Sequence, residues 1–296
     1  MNFLAYITWK VNPVAISLGS VEVRWYGLLL ALGFFFSYLI LSKIFKTEHI
    51  SQQLCDKLSI WTVVWTIVGL RLGHFLFYEP EYFTSLEGIL EILLPFHDGH
   101  FVGYQGLASH GGVIGIVAFL IYFAWKYKMN VLWLTDRLAI CIPIAAGMVR
   151  IGNLMNHEIV GSITNVPWAF DFIYGGPGIA GTFRHPAQLY ESIVYLLLFA
   201  AFVIYYFKFA KGKVPAGRTT GLIFFVIFTA RFIIEFFKEV QVEKEMGMTL
   251  DIGQKLSIPI LIIGLILLIY SIVKRDNIPV YKEIDWQKPE SNSTKK

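Results

Sequence analysis

Apolar residues run along this chain in long blocks, and polar residues gather between them. Seven blocks fall at Tyr26–Phe45, Leu58–Phe77, Gly111–Tyr127, Leu138–Asn156, Leu189–Phe207, Gly221–Phe237 and Leu256–Val273. Crossing a hydrocarbon core of roughly 30 Å takes about 20 helical residues, so each block reads as a membrane span, the third and sixth being the shortest. No internal repeat divides them. The pattern predicts an all-α integral membrane protein with seven transmembrane helices. It predicts a single polytopic domain over residues 1–275 and a polar tail, 276–296, with too little apolar surface to fold.

The connectors differ in charge. One set carries Lys43, Lys46 and Lys57, then Lys126, Lys128 and Arg137, then Lys208, Lys211, Lys213 and Arg218, and ends in a tail with Lys274, Arg275, Lys282, Lys288, Lys295 and Lys296. The other set is poor in Lys and Arg. Its loop 79–100 has neither, and holds Glu79, Glu81, Glu87, Glu91 and Asp98. Basic connectors stay cytoplasmic, which puts the N-terminus outside and the C-terminus in the cytoplasm, as an odd number of spans requires. The extracytoplasmic side then holds the irregular Gly- and Pro-rich loops near 1–25, 79–110, 157–188 and 239–253. Loops of that length tend to carry function.

Composition narrows the class. Charged residues make up 16% of the chain, against about 25% in a soluble protein. The many Phe, Tyr and Trp fit the aromatic belts of a polytopic protein. No compact basic cluster points to nucleic acid. Cys55 in a connector and Cys141 in an apolar block make neither a disulfide framework nor a metal site. The N-terminal residues lack the basic, apolar and small-residue regions of a cleavable signal peptide, so the first span is expected to act as its own insertion signal.

Against this background the polar residues at the outer ends of the spans stand out, since charged groups in a membrane segment usually face a bundle interior or a wet cavity and mark a site. Arg24, Trp25 and Tyr26 open the first span. Arg71 and His74 lie in the second, and Ser109, His110, Gly111 and Gly112 open the third. The stretch from Ala146 to Gly161 closes the fourth; read as a helix, it puts Arg150, Asn153 and His157 on one face, with Asn156 and Glu158 at its mouth. Arg184, His185, Gln188, Tyr190 and Glu191 lead into the fifth. Arg231 and Glu235 lie at i and i+4 in the sixth.

Each residue also has a structural reading. Arg24 and Trp25 serve as interfacial anchors. Arg71 pairs or snorkels. Arg231 and Glu235 make an ion pair at helix spacing. His110 either caps a helix or, neutral near pH 7, accepts a proton. Two arginines at the lipid–water boundary suit a phosphate, which a guanidinium grips through two parallel hydrogen bonds. Asn and Tyr suit glycerol or ester oxygens. No nucleophile elbow, Cys–His arrangement, zinc motif or phosphate loop is present. From the residues alone, the reading stops at an outward-facing membrane protein with an anionic, lipid-like ligand.

The stretch Arg150-Ile151-Gly152-Asn153-Leu154-Met155-Asn156-His157-Glu158-Ile159-Val160-Gly161 resembles the signature of bacterial prolipoprotein diacylglyceryl transferases, Gly-Arg-x-Gly-Asn-Phe-x-Asn-x-Glu-x-x-Gly. The resemblance extends, in family order, to Arg24-Trp25-Tyr26-Gly27, Arg71-Leu72-Gly73, Ser109-His110-Gly111-Gly112, Arg184-His185-Pro186-Ala187-Gln188-Leu189-Tyr190-Glu191, Arg231-Phe232 with Glu235-Phe236, and Gly253-Gln254 with Leu256-Ser257-Ile258-Pro259. It covers nearly the whole chain. Val149 and Leu154 depart from the signature, Thr229-Ala230 stands where Tyr-Gly is usual, and Lys238-Glu239-Val240 stands where Arg-Glu-Pro is common.

The resemblance implies a membrane enzyme of the bacterial cytoplasmic (inner) membrane with its active site toward the extracytoplasmic side. Diacylglyceryl would pass from phosphatidylglycerol to the lipobox cysteine thiol of a prolipoprotein, forming a thioether and releasing glycerol-1-phosphate, without cofactor or metal. Under that reading Arg150 and Arg231 hold the lipid phosphate, and Glu235 orients Arg231. His110 takes the thiol proton. Tyr26, Asn153 and Glu158 position headgroup and glycerol, and Gly161 lets the chain turn beside the lipid. A transporter for an anionic lipid remains a rival, since intramembrane arginines and glycines at helix ends suit that class too. A receptor that binds lipoprotein precursors without chemistry is another.

Overall fold

Every apolar block forms a helix, and the helices end where Gly, Pro or a polar cluster interrupts the block. The computed structural model describes residues 6–19, 21–93, 96–97, 100–101, 108–239 and 250–274, with the backbone alone at residues 18, 21, 93, 96–97, 100–101 and 109–110. The tail expected at 276–296 lies outside the described residues. The long helices are α1 (Trp25–Thr47), α2 (Gln52–Tyr78), α4 (Ser109–Lys126), α5 (Val131–Met155), α6 (Ala187–Ile204), α7 (Arg218–Glu235) and α8 (Ile252–Val273), with a short α3 (Leu86–Leu93) after α2. A π-helical turn, Tyr205–Ala210, extends α6. Among the described residues five helices are long and apolar enough to cross a membrane: α1, α2, α5, α6 with its extension, and α8. The apolar part of α4 is shorter, Gly111–Lys126, and α7 carries Arg218, Arg231 and Glu235. Chains of outward-facing Ile, Leu, Phe and Trp along α2, α4 and α8 fit a lipid-facing surface.

The chain divides into two compact units, one of residues up to Ile44 and from Thr135 onward, the other Phe45–Leu134. In the first, α1 runs antiparallel to α5. Tyr26 lies against Gly152 and Gly33 against Ala145, where an added Cβ would come within 2.9 Å, and Ser37 Oγ donates to the Cys141 carbonyl at 3.0 Å. Small residues thus let the two backbones approach, as is usual between membrane helices. Gly221 and Gly264 do the same for α7 and α8. At the same end of α7, the buried Asp136 of α5 accepts from the Gly217 and Thr220 amides at 2.6 and 2.8 Å, capping the start of α7 as an N-cap side chain would.

The connectors expected to be irregular hold short strands. The first unit carries a three-stranded sheet ordered β1 (Ile7–Trp9), β6 (Phe170–Phe172), β7 (Phe183–Arg184), with β1 parallel to β6 and β7 antiparallel to it. A hairpin of β2 (Val14–Leu18) and β3 (Val21–Arg24) leads into α1. Leu154, Val160, Phe170 and Phe172 form a small core against which Trp9, Ile179 and Leu189 pack.

In the second unit α2 and α4 meet on a glycine seam, Gly69 and Gly73 facing Gly111 and Gly115. A short hairpin pairs β4 (Phe96–His97) with β5 (His100–Phe101). Arg71, open between ligand and strut in the sequence, donates to the carbonyls of Glu91 and Ile92 at 2.7 and 3.1 Å. It satisfies the last turn of α3, where a cation also complements the helix dipole. A Cβ at Gly73 would lie 2.5 Å from the Gly111 Cα, so Gly73→Val is expected to destabilise the protein by about 1–3 kcal/mol. A thermal melt in detergent, compared with Gly176→Val, where nothing lies within 4 Å and φ is not positive, checks this.

Candidate active site

The end of α5 builds the site. The helix stops at Met155, short of the Gly161 end that a single helical face would need. His157 adopts the left-handed conformation, φ 55°; its amide donates to Leu154 O at 3.2 Å, and the Glu158 amide to Asn153 O at 3.1 Å. These two bonds make a Schellman ending. A non-glycine residue there costs on the order of 1–2 kcal/mol, and the His157 ring offsets part of it. Its Nε2 donates to the Val11 carbonyl at 2.8 Å, and it packs edge-on to Phe172 and Tyr174. His157 therefore leaves the face it was expected to share with Arg150 and acts as a strut.

Folding the chain back puts Glu158 over Asn153. Asn153 Nδ2 donates to Glu158 Oε1 at 2.7 Å, and Arg150 Nη1 donates to Asn153 Oδ1 at 3.2 Å. Asn156 Nδ2 reaches the same Glu158 oxygen at 3.4 Å, and Gln188 Nε2 donates to the Glu158 carbonyl. Tyr26, packed on Gly152, lies within electrostatic reach of Glu158 and Arg150. Four of the residues singled out from the sequence, Tyr26, Arg150, Asn153 and Glu158, are thus one cluster.

Arg150 also meets a carboxylate that the sequence offered without a role. Its Nε lies 2.7 Å from Oε2 of Glu191, which is fully buried. This is a close ion pair whose N–H is not aligned as a hydrogen bond. Oε1 of Glu191 receives Lys238 Nζ at 3.0 Å, and Lys238 also lies 3.0 Å from Glu235 Oε2. Glu235 thus pairs with Lys238 and not with Arg231, the partner expected at i−4. Arg231 enters through Tyr195, which is within reach of Arg150, Arg231 and Glu191. Gln188, Glu191 and Tyr195 share one face of α6, and that polar line in an apolar helix was the signal for them. Lys238 was visible only as a departure from the family pattern.

Gly161 lies where two connectors close. Its amide donates to His185 O at 2.9 Å, it bridges to Lys238, and Ser162 N donates to Phe237 O at 2.8 Å. A Cβ on Gly161 would lie 2.5 Å from the His185 carbonyl oxygen and 2.6 Å from that of Phe237. Arg184 is spent on structure. It donates to the carbonyls of Gly161 and Gly178 and pairs with Glu239. Beside it, Tyr190 Oη accepts from Trp168 Nε1 at 2.8 Å and meets His185 Nδ1 at 3.0 Å. Partial burial pushes the His185 imidazole below its ordinary pKa. The His110 backbone lies in the first turn of α4, but its side chain lies outside the described residues.

A partly exposed guanidinium, held by an amide and a buried carboxylate at the end of an apolar helix, marks the candidate site of a membrane protein. Comparison with known proteins gives the class a name. The family model described as prolipoprotein diacylglyceryl transferase matches residues 13–270. A phosphatidylglycerol–prolipoprotein diacylglyceryl transferase of Bacteroides fragilis is 41% identical over 267 residues, 89% of this chain and 95% of its own. Those of Chloroherpeton thalassium and Tolumonas auensis are 39% and 38% identical, covering 92% and 89% of this chain and 97% and 96% of theirs. The chain belongs to the prolipoprotein diacylglyceryl transferase family, and is a transferase.

Because backbone atoms, not a yielding side chain, bound Gly161, Gly161→Ala is expected to part the Gly161–Lys238 bridge. Transferase activity should fall by about tenfold or more, since small misplacements of positioning groups cost that much. Activity per folded protein, with folding followed by thermal melt, checks it.

Proposed function

We propose that this enzyme moves diacylglyceryl from phosphatidylglycerol to the lipobox cysteine thiol of a prolipoprotein, the first step of lipoprotein maturation, at the extracytoplasmic face of the bacterial inner membrane. The cysteine Sγ attacks the glycerol carbon that carries the phosphate. A C–S thioether bond forms, the C–O bond breaks, and the bonding pair leaves on the phosphate oxygen of glycerol-1-phosphate. The phosphate goes from one negative charge toward two. Arg150 and Arg231 meet that growing charge, where fixed donors contribute most. His110 takes the thiol proton, since thiolate is the nucleophile. Tyr26, Asn153 and Glu158 orient headgroup and glycerol, Glu235 acts through Lys238, and Gly161 fixes the connector beside the lipid. No metal or cofactor enters.

The observation that carries the reading is the Arg150–Asn153–Glu158 cluster beside Tyr26 in a chain of this family.

Strand pairing supports seven crossings. β1 and β6 are hydrogen-bonded and so lie on one side of the bilayer; an even number of crossings must separate them. Between them α1, α2 and α5 qualify by length and apolarity, so parity calls for α4 as the fourth. Gly161 and Lys238 pair as well, which adds α7 to α6. Adding α8 gives seven, an odd number, and the basic connectors favour a cytoplasmic C-terminal side.

The test is transfer in proteoliposomes of phosphatidylglycerol with a lipobox peptide, read by peptide mass. The unaltered protein should add one diacylglyceryl group, and a Cys→Ser peptide none. Arg150→Ala should abolish transfer, and Arg150→Lys should recover little, because an ammonium lacks the planar fork. A folded His110→Gln variant at near-normal rate would remove His110 from the reaction.

A further inference from the structure

Glu191 has no task in the reaction just described, yet it is fully buried beside Arg150. Its carboxylate is fully buried and bridges two cations, Arg150 at 2.7 Å and Lys238 at 3.0 Å. Lys238, itself buried, is shared with Glu235 at 3.0 Å. Charges therefore alternate along Arg150, Glu191, Lys238 and Glu235. A buried carboxylate facing Arg150 alone would spend the guanidinium's charge on itself. Divided between two cations, it anchors Arg150 at Nε while leaving the fork electrostatically positive toward an incoming anion. Asn153 holds the same guanidinium at Nη1, so it is held from two sides, by a hydrogen bond and by a close ion pair.

We infer that Glu191 is the positioning residue of Arg150, and that Lys238, held by the Gly161 bridge, sets the charge with which Glu191 does so. The inference rests on Arg150 as the phosphate ligand. Neither residue touches the lipid. They act by keeping the guanidinium fork aligned as the phosphate gains charge.

The experiment measures kcat, KM for phosphatidylglycerol and melting temperature for Glu191→Gln, Lys238→Met, Lys238→Arg and the double variant Glu191→Gln/Lys238→Met in proteoliposomes. Glu191→Gln should lower kcat by about tenfold or more with KM within about threefold, because alignment matters most in the transition state. Lys238→Met should lower kcat in the same sense, and Lys238→Arg, which keeps the cation, should retain most of it. The double variant should lose no more than Glu191→Gln, since a residue acting through another is not additive with it. Near-normal kcat in Glu191→Gln, with or without a lower melting temperature, overturns the inference, as do additive losses. Should Glu191→Gln fail to fold, Lys238→Met and Lys238→Arg decide: loss and rescue support the inference, and normal kcat in Lys238→Met overturns it. No transfer by the unaltered protein would instead overturn the reaction on which it rests.

Discussion

A guanidinium among apolar helices cannot be left to water. Taking such an ion out of solvent costs on the order of several kcal/mol, and the bundle has to return that through fixed partners. Arg150 sits under this constraint, and much of the first unit follows from it. Asn153 one turn on, Glu191 on α6 and Tyr195 one turn further each bring a polar group to the same place. Gly147 on α5 lets α6 come close enough, with Ser192 Oγ on its carbonyl at 3.2 Å. The helices carry these groups on faces that would otherwise be apolar, so they can associate in only one rotation.

A second constraint is how a membrane helix stops. The last turn of α5 leaves carbonyls that lipid cannot satisfy. The left-handed His157 closes two of them and sends the chain back over the helix end. That reversal brings Glu158 to Asn153 and gives the sheet its floor, with Trp9 Nε1 donating to Leu154 O at 3.0 Å. The helix end that makes the site is thus held by residues from the start of the chain.

The helices were legible because hydrocarbon demands long apolar runs, but α2 and α5 begin in polar turns ahead of those runs, at Gln52 and Val131 instead of Leu58 and Leu138. Tyr26, Arg150, Asn153 and Glu158 were legible because each is polar where polarity is costly. What escaped was tertiary. Helical periodicity carried on to His157, and it masked the one local hint, that His is among the non-glycine residues enriched in the left-handed conformation. The i, i+4 rule paired Arg231 with Glu235, but a lysine three residues past Glu235 competes for it and wins by bridging two carboxylates. Arg71 and Arg184 were open between ligand and strut by residue type. Both donate to backbone carbonyls, Arg71 to those of Glu91 and Ile92 and Arg184 to those of Gly161 and Gly178, and a carbonyl partner leaves no mark on residue type.

The parallel pairing of β1 with β6 also fixes an order in time. Ile7–Trp9 leaves the ribosome long before its partner Phe170–Phe172 exists. At translation rates of about 5–20 residues per second the wait is roughly ten to thirty seconds. The helix end at Met155 also emerges ahead of the strand that covers it. The Arg150–Asn153–Glu158 cluster can therefore close only after α5 and the loop that follows it have been made, so in a nascent or stalled chain it is still open.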